Sequence, residues 1–178
     1  MLRVPRRIAS RTIATYPHLS LLEHDVRYDD APIGFSVQTL SVRDWCVAAA
    51  ITREGQWILV EQHRHGIDSL TLETAGGIID EGEAPQDAAR RELFEETGFE
   101  AASVTPLGWV HPDPALLSNR AFLYLFRDAE RAAEPQQSHD ERTRVVLLSR
   151  SDLIEHLEDA RVSHTLAVIA LMRALARC

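Results

Sequence analysis

The segment between Gly77 and Gly98 constrains the fold of this 178-residue chain more than any other part of the sequence. Pro85 suits the first turn of a helix, and Gly98 suits the position just after a helix ends. The spacing therefore predicts a helix over Pro85–Thr97. Because an α-helix has 3.6 residues per turn, three of its glutamates would share one side. They are Glu92, Glu95 and Glu96.

An ordinary surface helix does not explain this acidic cluster well. Acidic runs are usually solvated, and Asp87 with Arg91 forms the favourable i,i+4 pair that a surface helix carries. Glu92, however, has like-charged neighbours at i+3 and i+4, and each costs about a few tenths of a kcal/mol. A bound cation on this side of the helix would offset the repulsion. Carboxylates without histidine or cysteine suit Mg²⁺ or Mn²⁺ better than Zn²⁺.

The residues around the cluster form a spaced motif. It consists of Gly77, five residues, Glu83, seven residues and then Arg91-Glu92-Leu93-Phe94-Glu95-Glu96-Thr97-Gly98-Phe99. This motif resembles the Nudix box at every fixed position. The resemblance implies an α/β fold: a Nudix α/β/α sandwich around a mixed β-sheet, with an N-terminal β appendage. It also implies a hydrolase that acts on a nucleoside diphosphate linked to another group.

The resemblance assigns roles to the residues of the box. It implies that Mg²⁺, or Mn²⁺ in its place, is held by three carboxylates and one backbone carbonyl. These metal ligands are Glu92, Glu95, Glu96 and the carbonyl of Gly76. Arg91 would hold a glutamate in place, and Glu83 would support the site. Glu95 is also a candidate catalytic base.

The residues that lead into the box indicate the substrate. The stretches Leu59–Arg64 and Leu72–Glu83 resemble those of ADP-ribose and nucleotide-sugar pyrophosphatases. In those enzymes an arginine like Arg64 contacts substrate phosphate, and a glutamate like Glu73 lies near the pocket. The chain departs from the pattern at two positions. His63 stands where tyrosine or phenylalanine is commoner, and Thr74 stands where proline is usual.

Two segments downstream of the box carry further resemblance. Pro114 lies fifteen residues after Phe99, like the proline that marks the ADP-ribose branch. Its loop resembles one in nucleotide-sugar members that reaches the active site, which makes Asn119 and Arg120 candidate substrate-binding residues, although a turn before a strand is the alternative. Asp140-Glu141 resembles the acidic loop that supplies a general base. Glu141 is thus a candidate base, but Arg144 stands near the place of the usual second glutamate, and Glu95 or a metal-bound hydroxide is the alternative.

The chain is expected to divide after residue 43. Two segments with strand character, Leu19–Tyr28 and Phe35–Val42, flank a turn-forming stretch and predict a hairpin. Residues 1–43 would form the β appendage, and residues 44–178 the Nudix hydrolase domain with a C-terminal helix. In the ADP-ribose branch such an appendage commonly makes a homodimer. Tyr28 or Phe35 is a candidate to stack on adenine.

Apolar patterns predict the remaining elements. Two runs have the apolar continuity of strands buried on both faces: Trp45–Ile51 and Trp57–Val60. Three further strands are predicted at Val104–Val110, Ala121–Phe126 and Arg144–Leu148. The polar stretch Glu134–Arg142 predicts an exposed loop. From Ser151 onward the pattern predicts a short helix and a longer one over His164–Ala176.

Composition excludes several other classes of protein. With 27 acidic and 19 basic residues the net charge is −8, which argues against a broad surface for nucleic acid. No apolar segment of the kind found in secretory signals follows the basic N-terminus, and no apolar run reaches about 18 residues, so neither a secretory signal nor a membrane span is expected. Two cysteines, Cys46 and Cys178, fit a reducing cytoplasm without disulfides. The histidines lack a clear metal-like spacing and are interpreted as structural or pocket-lining.

The predicted reaction is hydrolysis of the diphosphate bond of ADP-ribose or a related nucleoside diphosphate sugar. Its products would be a nucleoside monophosphate and a sugar phosphate. One alternative is a house-cleaning pyrophosphatase acting on nucleoside triphosphates or dinucleotides, which the long appendage disfavours. Another is a non-catalytic sensor that binds ADP-ribose, which the intact set of Glu92, Glu95 and Glu96 disfavours.

Overall fold

A computed structural model of the chain describes residues 2–136 and 142–178. They form two compact units. The first comprises the chain up to Arg43 together with His111–Arg120, and the second comprises Asp44–Val110 and Ala121–Cys178. The predicted acidic loop residues Asp140 and Glu141 lie outside the described residues.

The first unit is built on an antiparallel sheet with the strand order β1-β2-β3. Its strands are β1 (Arg6–Thr15), β2 (Leu19–Arg27) and β3 (Phe35–Val42). Two of them match the predicted hairpin, but β1 is a strand that the sequence analysis does not predict. Nearly every residue of β1 is exposed, so its sequence lacks the alternation of buried apolar residues that reveals most strands.

Hydrogen bonds tie this unit together across its strands. Buried His24 on β2 bonds through Nδ1 to Ser10 Oγ on β1 and through Nε2 to Thr39 Oγ1 on β3, both at 2.8 Å. The segment 111–120 joins β3 through backbone bonds. The Leu40 amide donates to the Leu116 carbonyl at 2.8 Å, and the Ser118 amide donates to the Leu40 carbonyl at 3.2 Å.

The second unit contains a mixed sheet with helices on both faces. Its elements are β4 (Trp45–Thr52), β5 (Trp57–Arg64), β6 (Ser69–Glu73), β7 (Ala75–Ile78), α1 (Pro85–Thr97), β8 (Phe99–Val110), β9 (Ala121–Arg131), β10 (Thr143–Leu148), α2 (Arg150–Glu158) and α3 (Thr165–Leu175). The strand order is β10-β5-β4-β9-β8, with β6 paired to β5 and β7 paired to β4. Strands β4 and β9 run parallel, and the other pairs are antiparallel.

Strand β4 is buried on both faces, as its apolar continuity predicts. Because successive side chains of a strand point to opposite faces, Cys46 and Ala48 pack in the core beneath α1, while Val47 and Ala49 pack in the core beneath α2 and α3. These two cores make the unit an α/β/α sandwich. The predicted fold class is confirmed.

Helix α1 has the bounds that the sequence predicts. Pro85 occupies its first turn, and Gly98 ends it in the left-handed conformation with φ 73°. The Gly98 amide donates to the Phe94 carbonyl at 2.7 Å, which closes the last turn. In the described part of the chain, every helix is too short or too polar to cross a membrane.

The packing of α3 can be tested with neighbouring residues. Leu171 is fully buried in the core beneath α3, whereas the side chain of Met172 is 55% exposed. We expect Leu171→Ala to lower the free energy of unfolding by about 2–5 kcal/mol, because it leaves a cavity in a packed core. Met172→Ala should change it by less than about 0.5 kcal/mol. Urea denaturation measures both values, and equal losses would contradict this packing.

Candidate active site

The second unit contains a cavity of about 800 Å³. Its walls come from β4, the end of β5, the turn that follows it, β6, β7, α1 and the start of α3 with the two residues before it. Six residues that line it matter for its chemistry: Arg64, Glu73, Gly77, Arg91, Glu92 and His164. The cavity thus brings residues of the acidic helix together with the arginine and glutamate that precede it in the sequence.

Two glycines let strand β7 lie directly against the acidic helix. A side chain at Gly77 would place its Cβ 2.5 Å from Glu92 Oε1, and one at Gly76 would meet the Cys46 carbonyl oxygen. The Gly76 amide donates to Glu96 Oε2 at 3.0 Å. Glycine is therefore required at position 76, where a side chain would collide with the backbone of β4, whereas a side chain at position 77 would displace the carboxylate of Glu92.

Arg91 connects three of the box carboxylates. Its Nε and Nη2 each donate to Glu83 at 2.9 Å, and its Nη1 donates to Glu92 at 2.8 Å and to Glu95 at 3.1 Å. The hydrogen bonds that Arg91 donates to Glu83 are the largest cause of the raised pKa of Arg91. The same arginine bonds hold the pKa of Glu83 below its usual value. Arg91 supplies positive charge that partly offsets the repulsion among the glutamates.

These contacts bear on how the site would hold a metal ion. Within residues 2–136 and 142–178, no group of three or more histidine, cysteine, aspartate or glutamate side chains is arranged around one metal position. The reason is that the carboxylates of Glu92 and Glu95 turn to Arg91, while Glu96 turns to the Gly76 amide. The three glutamates and the Gly76 carbonyl nevertheless offer oxygen atoms, which fit a hard divalent cation.

Arg64 and Glu73 form another part of the cavity wall. Arg64 Nε and Nη2 donate to the two carboxylate oxygens of Glu73, each at 2.7 Å. Glu73 is 1% exposed, and His164 Nδ1 lies 3.0 Å from its Oε2. Burial alone raises the pKa of Glu73, but hydrogen bonds from Arg64, His164 and Thr71 outweigh burial and lower it to about 2. Glu73 is therefore an ionised carboxylate that fixes the Arg64 guanidinium.

His164 is a cavity residue that the sequence analysis does not single out. It precedes α3, and its side chain is 34% exposed. The local sequence gives no signal of its contact with Glu73, because the two residues lie far apart in the chain and on different elements. Only the placement of α3 over the sheet brings them together.

The other candidate residues lie in the first unit. Asn119 is buried, and its Nδ2 donates to the Arg43 carbonyl at 3.0 Å, while Arg120 is exposed. Asn119 thus anchors the 111–120 segment within its own unit. The rings of Tyr28 and Phe35 contact each other at a centroid distance of 6.2 Å.

Comparison with known families identifies this arrangement. The NUDIX domain model matches residues 42–167, which is well over half of the chain. The chain belongs to the Nudix family, as the spacing of Gly77–Phe99 predicts, and it is a Nudix hydrolase. Nudix hydrolases generally use divalent metal ions, which agrees with the carboxylate of Glu96 beside Gly76 and that of Glu92 beside Gly77.

Individual relatives agree with this family and with the predicted branch. The ADP-ribose pyrophosphatase of Bacillus subtilis (strain 168) is 27% identical over 132 residues, which is 71% of each chain. The ADP-sugar pyrophosphatase of Mus musculus is 30% identical over 122 residues, covering 66% of this chain and 56% of that protein. A solved structure titled "Crystal structure of ADP compounds hydrolase" superimposes with a TM-score of 0.87 at 22% identity, covering 99% of this chain and 95% of the other.

The Arg64–Glu73 pair predicts a pH dependence of stability. The folded-state pKa of Glu73 is about 2, below the ordinary value of 4.5. The ionised pair therefore stabilises the fold above about pH 4.5, and this contribution of about 3 kcal/mol is lost as the pH falls towards 2. The difference in unfolding free energy between the wild type and Glu73→Gln should shrink over that range. Glu54→Gln, at an exposed turn residue, is the control. If the difference in unfolding free energy between the wild type and Glu73→Gln stayed constant with pH, the ionised Arg64–Glu73 pair would not stabilise the fold.

Proposed function

We propose that this chain hydrolyses the diphosphate bond of ADP-ribose or a related nucleoside diphosphate sugar, giving a nucleoside monophosphate and a sugar phosphate. The observation that carries the proposal is that one cavity is bounded by the Arg64–Glu73 pair and by the Gly77–Glu92 contact. A diphosphate needs positive charge on both sides in a protein of net charge −8. The names of the relatives support the same class of substrate.

The cation in this proposal is Mg²⁺, with Mn²⁺ able to replace it. Its ligands would be the carboxylates of Glu92, Glu95 and Glu96 and the carbonyl of Gly76. When bound, the ion would neutralise diphosphate charge and lower the pKa of a bound water. Arg91, held by Glu83, keeps two of these carboxylates close to the cavity through the bonds of its Nη1.

The chain's own residues divide the remaining work. Arg64 binds a substrate phosphate, and Glu73 holds the guanidinium in one orientation. Glu95 has 39% of its side chain exposed, so water reaches it, and it is our first candidate for the base that accepts a proton. Glu141 is the second candidate. Asn119 and Arg120 remain proposed substrate-binding residues of the 111–120 segment.

The proposed assembly is a homodimer formed through the β appendage of residues 1–43, next to a Nudix domain of residues 44–178. The edge strand β1 supports it, because Ile8 and Ile13 are 57% and 51% exposed on that strand. Sedimentation equilibrium should find a dimer for the wild type and a monomer for Ile13→Lys. A wild type that sediments as a monomer contradicts the proposal.

Product analysis separates the proposed reaction from hydrolysis of nucleoside triphosphates. With Mg²⁺ present, ADP-ribose and GDP-mannose should each yield a nucleoside monophosphate, at rates well above the rate of phosphate or pyrophosphate release from ATP. Faster turnover of ATP or of diadenosine polyphosphates would favour the house-cleaning activity. Binding of ADP-ribose without turnover would favour a sensor.

The proposed role of Glu95 is testable against a matched control. Glu95→Gln removes a charged ligand and the candidate base, so kcat with ADP-ribose and Mg²⁺ should fall on the order of a hundredfold or more. Glu100→Gln, which changes an exposed glutamate at the start of β8, should leave kcat within about twofold. Steady-state assays of both variants give the comparison. If the kcat of Glu95→Gln equalled that of the wild type, Glu95 would be neither a metal ligand nor the base in this reaction.

A further inference from the structure

The side chain of His164 lines the cavity with a hydrogen-bonding group to which the proposed reaction assigns no role. Its Nδ1 contacts Glu73 Oε2 at 3.0 Å, and its ring lines the cavity. Since the ionised Glu73 only accepts hydrogen bonds, Nδ1 must be the protonated nitrogen. In neutral His164 the lone pair therefore sits on Nε2. Among the described residues, Nε2 of His164 makes no hydrogen bond.

Glu73 places this nitrogen next to the proposed phosphate-binding group. Arg64 Nη2 and His164 Nδ1 both contact the same oxygen, Oε2 of Glu73. A ligand whose phosphate meets Arg64 therefore brings its neighbouring groups to His164. In a nucleoside diphosphate sugar, the hydrogen-bond donors nearest to the diphosphate are the hydroxyls of the adjoining sugars. The amino group of the base lies a whole ribose further away.

We propose that His164 contacts the substrate directly, with Nε2 accepting a hydrogen bond from a sugar hydroxyl next to the diphosphate. This inference rests on the proposed function and names a specificity residue for it. Glu73 then has two tasks, since it orients the Arg64 guanidinium towards phosphate and selects the tautomer of His164 that accepts. The buried carboxylate of Glu73 thus determines both where the positive charge of Arg64 lies and which nitrogen of His164 can accept a hydrogen bond.

Two substitutions separate contact with substrate from a purely structural role. The amide nitrogen of asparagine reaches about as far as Nδ1, so His164→Asn keeps the bond to Glu73 and loses Nε2. The amide of glutamine reaches about as far as Nε2, so His164→Gln keeps a group at the contact position and loses the bond to Glu73. His164 makes no side-chain cap to α3, and asparagine is favourable before a helix, so both variants should fold.

The measurement is calorimetric binding of two non-hydrolysable ligands at about pH 8, above the range in which most histidines titrate. The ligands are α,β-methylene ADP-ribose and α,β-methylene ADP, with Mg²⁺ present. We expect His164→Asn to weaken binding of the first about five- to tenfold, since one hydrogen bond is lost, and His164→Gln to retain more affinity than His164→Asn. His156→Asn, on α2, is the matched control and should bind as the wild type does.

Each outcome bears on the proposal. A loss confined to α,β-methylene ADP-ribose supports contact with the second sugar, and a loss for both ligands supports contact with the ribose of the nucleoside. Two results would overturn the proposed contact between His164 and the substrate: wild-type affinity in His164→Asn, or weaker binding by His164→Gln than by His164→Asn. His164 would then have only its bond to Glu73. If the wild type binds neither ligand, the proposed function itself fails. That result differs from a failure of His164 alone.

Discussion

The crowding of carboxylates around one cavity is the constraint on which the second unit depends. Glu73 and Glu92 line the cavity, Glu96 is buried beside Gly76, and Glu83 and Glu95 are joined to Glu92 through Arg91. Two arginines offset this charge, and each is held by a glutamate through paired hydrogen bonds: Arg64 by Glu73, and Arg91 by Glu83. A site built this way attracts cations on one wall and presents a fixed guanidinium on the other.

The sandwich holds these two walls in register because β4 is buried on both faces. On one side of β4 lies β7, whose glycines contact α1. On the same edge of β4, β5 pairs with Ala50 and Ile51; it carries Arg64 and pairs with β6, which ends at Glu73. Helix α3 covers the opposite face of the sheet and brings His164 to Glu73. The packing of apolar side chains on both faces thus fixes the distances between polar groups that belong to separate strands.

Local sequence patterns predict the structural features that depend on residues close together in the chain. The bounds of α1 follow from Pro85 and Gly98, and the shared side of the three glutamates follows from helical spacing. The burial of β4 on both faces follows from its apolar run. Features that depend on distant residues were not predictable in this way. The contact of His164 with Glu73 joins two elements far apart in the chain, and β7 is a short strand of Ala-Gly-Gly-Ile that gains its structure by pairing with β4.

Arg91 offsets part of the repulsion for which the sequence predicts a bound cation. The resemblance assigns Arg91 to holding one glutamate, and the guanidinium donates to Glu92 and Glu95 as well as to Glu83. A cation in the proposed site would share these carboxylates with the guanidinium. Strand β1 is not predictable from the sequence, because a strand that is exposed along its length carries little apolar pattern.

The most direct test of the proposed reaction follows ADP-ribose in ¹⁸O-labelled water with Mg²⁺ by ³¹P NMR. Hydrolysis of the diphosphate bond should give equal amounts of AMP and ribose 5-phosphate, with one ¹⁸O atom in one of the two products and no inorganic phosphate. No turnover with Mg²⁺ or Mn²⁺, or release of inorganic phosphate as the first product, would contradict it.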